Sequence, residues 1–151
     1  AMSGKTLTAS RTLRPLNRED SEFLYQLQTQ NGVRRFFRNP GIPARDEHDR
    51  WFKKIFPASD SVLWIIEENK LAAGMLRLDF TETGAEVSII VSPEKSAAGL
   101  GRFALNKLRE LYPGTDLVAS VHKDNARSVN LFQACGFKSK NHHGDFLEMG
   151  L

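Results

Sequence analysis

The chain has 151 residues, of which 40% are hydrophobic and 26% charged, and its formal net charge is +3 at pH 7. That length allows one domain with its own core, and that composition is typical of a globular protein and excludes wholesale disorder. No stretch approaches the roughly 20 apolar residues of a membrane-spanning helix, and the single cysteine, Cys135, excludes a disulfide framework and a cysteine-based zinc site. We therefore expect a cytoplasmic protein without a membrane, nucleic-acid or metal partner.

The first half of the chain predicts one strand and two helices, followed by a meander of three strands. In chain order, these predicted elements are Ser10–Leu16, Arg18–Gln30, Asp46–Phe56, Ser61–Glu68, Leu71–Phe80 and Glu86–Val91. Asn17 is a good N-cap for the first helix because its side chain can accept a hydrogen bond from a first-turn amide, and Pro57 ends the second helix. Residues 1–9 are expected to be disordered or left over from a cleaved tag, so the domain is placed at residues 10–151.

The second half alternates helices with strands and ends in a hairpin. Its predicted elements are Gly99–Tyr112, Leu117–Val121, Asn125–Cys135, Phe137–Lys140 and Phe146–Leu151, with Asn141–Gly144 joining the last two. The apolar residues of each helix repeat every three or four positions, which places them on one face, and Gly136 is a typical residue after a helix end. Because helices follow strands only in this half, the order of elements predicts an α+β fold with a mixed sheet.

The segment between the strand that ends at Val91 and the next helix is the first candidate for a binding site. It is rich in small residues and runs through Ser96, Ala97, Ala98, Gly99, Leu100, Gly101 and Arg102. Small residues let a ligand approach the backbone, and the free amides and dipole at a helix start bind anions such as a diphosphate. The alternative is that the glycines only permit the turn. A dinucleotide-binding fold does not fit, because the loop is too long for its tight first turn and too little chain follows.

A second motif covers Asn125–Phe137, a capped amphipathic helix closed by Gly136. Together with the loop Ser96–Gly101, it resembles the GNAT superfamily of acetyl-CoA-dependent N-acetyltransferases, whose phosphate loop reads Arg/Gln-x-x-Gly-x-Gly/Ala and whose next helix reads Asn-x-x-Ser/Ala-x-x-Leu-Tyr/Phe-x-x-x-Gly-Phe. The resemblance extends from Arg11 to Leu151. It implies a single-domain α+β GNAT fold with a mixed, mostly antiparallel sheet of about seven strands, and an enzyme that transfers an acetyl group from acetyl-CoA to a primary amine.

The resemblance also implies which residues bind acetyl-CoA. These cofactor-binding residues are Ile89, Ile90, Val91, Ser96, Ala97, Ala98, Gly99, Leu100, Gly101, Arg102, Asn125, Ser128 and Phe132. The first three would pair with the pantetheine arm like an added strand, at an opening beside Leu117–Val121, and the loop amides would hold the diphosphate. Two residues depart from the family pattern: Ser96 replaces Arg or Gln, and Phe132 replaces the tyrosine that protonates the departing thiolate. The second departure leaves open a CoA-binding module without catalysis.

Glu86 and His122 are the candidate bases, because an alkyl ammonium must lose a proton before its nitrogen can attack a thioester. The resemblance implies a water-positioning acid on the strand that Glu86 opens. His122 lies at the tip of the next strand, near the expected thioester, and imidazole titrates near neutral pH. The alternatives are a solvated strand end for Glu86 and a turn-capping role for His122.

The acceptor side is predicted from a basic cluster and an aromatic helix face. Arg34, Arg35 and Arg38 lie in a segment rich in proline and glycine, and His48 shares a helix face with Trp51. These residues would suit an anionic acceptor that carries a sugar ring or a base. The alternatives are a solvated loop for the arginines and a core-anchored helix with a surface histidine for His48.

The run Gly32–Arg35 and the pattern Glu47-His48-x-x-Trp51-Phe52 are similar to acetyltransferases of pseudaminic-acid biosynthesis, which N-acetylate the 4-amino group of a UDP-linked amino sugar. This resemblance implies a nucleotide-linked amino sugar as the acceptor. The same branch includes ribosomal-type protein N-terminal acetyltransferases and polyamine or antibiotic acetyltransferases, so these acceptors stay open as alternatives. The sequence allows a homodimer, although no pattern requires one.

Overall fold

The computed structural model describes residues 10–30, 32–57, 60–95 and 99–151, so residues 1–9, predicted to be disordered or tag-derived, lie outside the described residues. The strands are β1 Arg11–Pro15, β2 Ser61–Glu68, β3 Leu71–Phe80, β4 Ala85–Val91, β5 Leu117–His122, β6 Lys138–His143 and β7 Phe146–Gly150. The α-helices are α1 Ser21–Thr29, α2 Arg45–Ile55, α3 Leu100–Leu111 and α4 Ala126–Ala134. Among the described residues, no helix combines the length and apolar content that crossing a membrane requires.

The seven strands form one sheet in the order β1-β2-β3-β4-β5-β7-β6. Strands β1 to β4 form an antiparallel meander, β4 and β5 run parallel, and β7 pairs antiparallel with both β5 and β6. The parallel pair is joined by the crossover helix α3, because two parallel neighbours cannot be connected by a tight hairpin. This mixed, mostly antiparallel sheet of seven strands confirms the predicted fold class.

The first predicted helix begins differently from the expectation. The Asn17 side chain accepts a hydrogen bond from a first-turn amide at 3.1 Å, and the Asp20 carboxylate accepts one from the Asn17 amide at 2.8 Å. These reciprocal caps close a 3-10 turn over Arg18–Asp20, and α1 follows it. The predicted helix Arg18–Gln30 is therefore a 3-10 turn followed by an α-helix.

Helices cover both faces of the sheet, because successive residues of a strand alternate between the two faces. Helices α3 and α4 lie on what we call the α3 face, over a large core that includes Leu76, Leu78, Leu100, Leu105, Leu108, Leu117 and Met149. Helices α1 and α2 lie on the opposite face, the α1 face, over a smaller core formed by Leu24, Leu27, Phe52, Ile55, Leu63, Ile65 and Met75. The strand residues that are buried in this smaller core all belong to β2 and β3.

The last hairpin is tighter than predicted. Strand β6 continues to His143, which pairs with Phe146 at the start of β7. The predicted link Asn141–Gly144 therefore shortens to Gly144 and Asp145, and Gly144 adopts a φ of +62° that favours glycine.

Candidate active site

Strands β4 and β5 separate soon after they begin, and their separation opens the sheet. They pair only at Ala85–Leu117 and Glu86–Val118, whereas β4 stays paired with β3 up to Val91 and β5 stays paired with β7 along its length. Beyond Glu86, the edge of β4 that faces β5 has no strand partner in the described structure. Unpaired backbone groups at such an edge can pair with an extended ligand. We call this opening the fork.

A cavity of about 510 Å³ passes through the fork. At the end next to α4 it is lined by Asn125, Ser128 and Phe132, and at the opposite end by Trp51 and most of the segment 33–39. The sheet supplies the wall between the two ends, with Met75, Arg77, Asp79, Glu86, Val87, Ser88, Ile89, Ile90, Ser120, Val121, His122 and Phe146. The cavity therefore connects the two faces of the sheet, so two substrates can meet in it from opposite sides.

The end next to α4 contains part of the predicted cofactor site. The predicted cofactor-binding residues on the cavity wall are Ile89, Ile90, Asn125, Ser128 and Phe132. Asn125 caps α4, where its Oδ1 accepts a hydrogen bond from the Ser128 amide at 3.2 Å. Phe132 is 2% exposed, and its ring centroid lies 5.0 Å from that of Phe137, so this wall position offers no hydroxyl group. Val91 ends β4 and is not part of the wall.

The start of α3 contains the rest of the predicted cofactor site. Gly99 has a φ of +81°, a left-handed conformation that favours glycine, and Leu100–Arg102 form the first turn of α3, whose amides have no partner within the helix. Gly101 also lets α3 pack closely against α4, because a Cβ at this position would lie 2.8 Å from Leu131 Cδ2. Three predicted loop residues lie outside the described residues, namely Ser96, Ala97 and Ala98.

Two cations lie next to the start of α3. Lys95 Nζ is 3.7 Å from Glu68 Oε1, and Arg11 Nε is 3.3 Å from Glu68 Oε2. Arg11 Nη1 also lies 3.5 Å from the position that a Cβ of Gly99 would take. Amide donors with nearby cations are the groups that bind a diphosphate. Together with the unpaired edge of β4, these residues fit acetyl-CoA.

Glu86 stands at the fork itself, in the last residue pair that joins β4 to β5. Its side chain lines the cavity and is 36% exposed. Its Oε2 lies 3.9 Å from Nη2 of Arg38. A partly exposed carboxylate at this point can take a proton from an amine in the cavity, directly or through a water molecule.

His122 also lines the cavity, but one nitrogen of its ring is already engaged. Nδ1 accepts a hydrogen bond from the Asp124 amide at 3.1 Å, so the proton of the neutral ring is on Nε2. The ring lies between Phe36 and Phe146, at centroid distances of 5.1 and 5.2 Å. This geometry fits the turn-capping alternative and gives the neutral ring no free lone pair with which to act as a base.

Arg34 and Trp51, two of the predicted acceptor residues, lie on the cavity wall. Arg34 donates hydrogen bonds to Gln28 Oε1 at 2.9 Å and to the Asn39 carbonyl at 2.7 Å. Its guanidinium carbon lies 4.7 Å from the centre of the Phe37 ring, and burial lowers the pKa of Arg34 from its usual value. Arg34 therefore joins the segment 33–39 to α1 while bordering the cavity.

Arg35 and His48, the other two predicted acceptor residues, are not on the cavity wall. Arg35 is exposed, with its guanidinium carbon 5.1 Å from the centre of the Phe36 ring. His48 is 2% exposed; its Nε2 donates a hydrogen bond to the Ser21 carbonyl at 2.9 Å, and its ring lies 5.1 Å from that of Tyr25. His48 therefore joins α2 to α1 inside the protein. The alternative of a surface histidine is wrong because this helix face packs against α1, and the burial of His48 does not support the predicted ligand contact.

Sequence reasoning misses six polar residues of the described wall, namely Gln28, Asn39, Arg77, Asp79, Ser88 and Ser120. Arg77 and Asp79 alternate with the buried Leu76 and Leu78 along β3, and their charges form an ion pair with an N–O distance of 2.9 Å. The period of two shows that they share a face. The alternation cannot reveal, however, that this part of the face is left uncovered by helices. For Ser120, no local sequence pattern indicates a place on the cavity wall.

The model of the GNAT acetyltransferase domain matches residues 11–138 of the chain. The chain belongs to the GNAT acetyltransferase family. The spermidine N(1)-acetyltransferase of Escherichia coli K12 is 31% identical to it over 134 residues, which are 83% of this chain and 71% of the relative. The resemblance inferred from the two motifs is therefore confirmed.

Solved structures share the fold of this GNAT chain, and two of them are acetyltransferases in complex with CoA or acetyl-CoA. The spermidine N-acetyltransferase of Vibrio cholerae in complex with CoA and spermine has a TM-score of 0.75 at 23% identity, over 93% of this chain and 94% of its own. The Campylobacter jejuni N-acetyltransferase PseH in complex with acetyl coenzyme A has a TM-score of 0.70 at 19% identity, over 94% and 98%.

The protein is an acyltransferase with acetyl-CoA as its cosubstrate. Family membership thus decides against the alternative of a CoA-binding module without catalysis. Within the ranges that the structure describes, no three or more His, Cys, Asp or Glu residues are grouped so that they could hold a metal ion.

Proposed function

We propose that this acyltransferase acetylates the primary amine of a nucleotide-linked amino sugar. The observation that carries the proposal is the charge on the described cavity wall, where three guanidinium groups face two carboxylates. Arg77 pairs with Asp79, Arg38 lies beside Glu86, and Arg34 bonds to two neutral acceptors. The resulting net charge of +1 favours an acceptor that carries an anionic group.

The aromatic residues of the cavity support the same class of acceptor. Phe36, Phe37 and Trp51 line the end that lies away from α4, and Phe146 lines the sheet wall next to it. Flat rings pack against bases and against the apolar faces of sugars, while guanidinium groups bind phosphate oxygens. A sugar joined to a base through a diphosphate presents all three of these groups.

We propose Glu86 as the base of the reaction. Acetyl-CoA supplies the acetyl group as a thioester. When the amine attacks, a C–N bond forms, the C–S bond breaks, and the nitrogen loses a proton that Glu86 accepts directly or through water. Phe132 cannot protonate the leaving thiolate, so we assign that proton to solvent. His122 is not proposed as the base because its Nδ1 is engaged by Asp124.

A polyamine is the second candidate acceptor, and the relatives favour it. The E. coli relative is a spermidine N(1)-acetyltransferase, and the V. cholerae structure contains spermine. Several ammonium groups on one acceptor require carboxylates that are free to bind them. Both carboxylates of the described wall, Asp79 and Glu86, already have a guanidinium group nearby, which is the reason for ranking the polyamine second.

The release of CoA thiol tests the proposed acceptor. Steady-state rates are measured with acetyl-CoA and, in turn, a UDP-linked 4-amino sugar, spermidine and a peptide with a free N-terminus. We expect the highest kcat/KM for the UDP-linked sugar. A higher value for spermidine or for the peptide would overturn the proposed acceptor.

A homodimer and a cytoplasmic location stay predictions.

A further inference from the structure

Arg38 extends across the entrance to the fork. It belongs to the segment 33–39, and its side chain is 64% exposed. Its Nη2 donates a hydrogen bond to Ser120 Oγ on β5 at 2.7 Å and lies 3.9 Å from Glu86 Oε2 on β4. Its guanidinium carbon lies 5.4 Å from the centre of the Phe146 ring on β7. One side chain thus reaches both of the strands that separate at the fork.

These contacts of Arg38 contribute little to the stability of the fold. An exposed ion pair with a distance of 3.9 Å contributes little to stability, and the Ser120 hydroxyl is a neutral partner. Arg34, on the same segment, is more buried and is held by Gln28 and by the Asn39 carbonyl. Arg34 is therefore the arginine that anchors the segment, while Arg38 presents its charge to the cavity.

We propose that Arg38 discriminates acceptors by charge, because its guanidinium binds a phosphate of the acceptor and repels a polycation. The inference rests on the proposed function and names the residue that makes the choice. A guanidinium group matches two oxygens of a phosphate with two parallel hydrogen bonds. Among the described residues, Arg38 has one neutral hydrogen-bond partner, Ser120, and one distant carboxylate, Glu86, so a phosphate is a stronger partner than either.

The position of Arg38 beside Glu86 links acceptor binding to the proposed base. When a phosphate of the acceptor binds the guanidinium of Arg38, this nearest described cation no longer neutralises the Glu86 carboxylate. The carboxylate is then available to the incoming amine. A polyamine would instead bring further positive charge to Arg38, and like charges in a desolvated site repel each other. The same side chain would therefore favour one acceptor and disfavour the other.

The experiment measures kcat and KM for a UDP-linked 4-amino sugar and for spermidine, with the wild type and with Arg38→Ala and Arg38→Lys. Arg50→Ala is the matched control, because Arg50 is an exposed arginine on α2 that pairs with Asp46 and is not on the cavity wall. For Arg38→Ala we expect the KM of the UDP-linked sugar to rise about 10- to 100-fold, the range for losing a charge-assisted hydrogen bond. The KM of spermidine should fall because the repulsion is removed, and an unchanged KM would overturn the proposed repulsion. Arg38→Lys should recover part of the loss, and Arg50→Ala should match the wild type.

Equal effects of Arg38→Ala on both acceptors, or no effect on either, would overturn the role of Arg38. If the wild type acetylates spermidine but not the UDP-linked sugar, the proposed acceptor is wrong, and calorimetric binding of UDP then decides the role of Arg38 separately. Weaker binding by Arg38→Ala than by Arg50→Ala would support it, and equal binding by the two variants would overturn it.

Discussion

Helices lie on both faces of the sheet, but only on the α3 face does the buried core extend from β2 across to β7. On the α3 face, Leu78 of β3 and Ala119 of β5 belong to one continuous buried core. On the α1 face, the buried core stops at β3, and β4, β5 and β7 expose Glu86, Ser120 and Phe146 to a cavity. The α3 face therefore supplies most of the burial that stabilises the domain, while the uncovered part of the α1 face leaves room for substrates.

Strand β5 shows this division within a few residues. Leu117 and Ala119 are buried on the α3 face, while Ser120 and His122 are only partly buried and border the cavity. A strand directs neighbouring side chains to opposite faces, so one strand serves both regions. The comparison predicts that substitutions on the α3 face mainly lower stability and that substitutions in the cavity mainly lower activity.

The largest expected effect is on activity and comes from Glu86→Gln in the cavity. Glutamine keeps the size of the side chain but cannot accept the proton, so we expect kcat to fall about 10²- to 10⁴-fold, equivalent to roughly 3–5 kcal/mol of activation free energy. The free energy of unfolding should change little. Glu148→Gln on β7 is the control, since Glu148 is not on the cavity wall. Wild-type turnover by Glu86→Gln would contradict the assignment of the base.

Leu105→Ala tests the opposite face. Leu105 is fully buried on α3, so we expect the variant to lower the free energy of unfolding by about 2–5 kcal/mol through lost burial and a residual cavity. The kcat per folded molecule should stay near the wild type. Leu111→Ala on the same helix is the control, because Leu111 is 48% exposed, and its expected change is within about 0.5 kcal/mol. Urea unfolding measures both, and equal losses would disprove the contrast.

Gly74→Ala perturbs the strand pair beside the fork. A Cβ at residue 74 would lie 2.6 Å from the Ile90 carbonyl oxygen and 3.2 Å from Val91 Cα, both of which are backbone atoms of β4. We expect the forced shift to lower the free energy of unfolding by about 1–3 kcal/mol. We also expect it to raise the KM for acetyl-CoA, because β4 is the strand predicted to pair with the cofactor. Gly114→Ala has open space around its Cβ and should change neither quantity. A Gly74→Ala variant with unchanged stability would show that β4 shifts without cost.

Asp20→Asn tests the edge of the α1 face and gives the smallest effect. Burial alone would raise the pKa of Asp20, but hydrogen bonds from Arg14 and from the Asn17 amide, together with the Arg14 charge, lower it below its usual value. A carboxyl group whose pKa is lower in the folded state stabilises the fold above the unfolded pKa of about 4, and this stabilisation is lost as the pH falls through the folded pKa. We expect the variant to lose about 1 kcal/mol at pH 7.

The same urea series at decreasing pH provides the check for Asp20. The wild type and Asp20→Asn should converge in stability as the pH falls, because protonation removes the charge of Asp20 in the wild type as well. Asp145→Asn is the control, since Asp145 is 66% exposed and pairs with Lys123 at 3.5 Å. A stability difference for Asp20→Asn that stays constant down to acidic pH would contradict an ionised Asp20 as its cause.

Local patterns in the sequence predict most elements. The bounds of β2 and β3, Ser61–Glu68 and Leu71–Phe80, agree with the prediction because alternating residues and short turns define a strand locally. The cap of α4 by Asn125 follows from residue type in the same way. The 3-10 turn before α1 is missed because it depends on Asn17 and Asp20 capping each other. The spacing of apolar residues predicts a helix here but does not distinguish a 3-10 turn from the first turn of an α-helix.

The sequence by itself determined the order of the elements, the GNAT family and the candidate phosphate loop, because each depends on residue types at short spacing. Only the tertiary structure decided which residues share the cavity. Arg38 meets Ser120 across 82 positions of the chain, and His48 is drawn inside because α1 packs on its helix face. The fork likewise exists because β4 keeps β3 and β5 keeps β7 as partners. Such pairings join distant segments, so no local pattern specifies them.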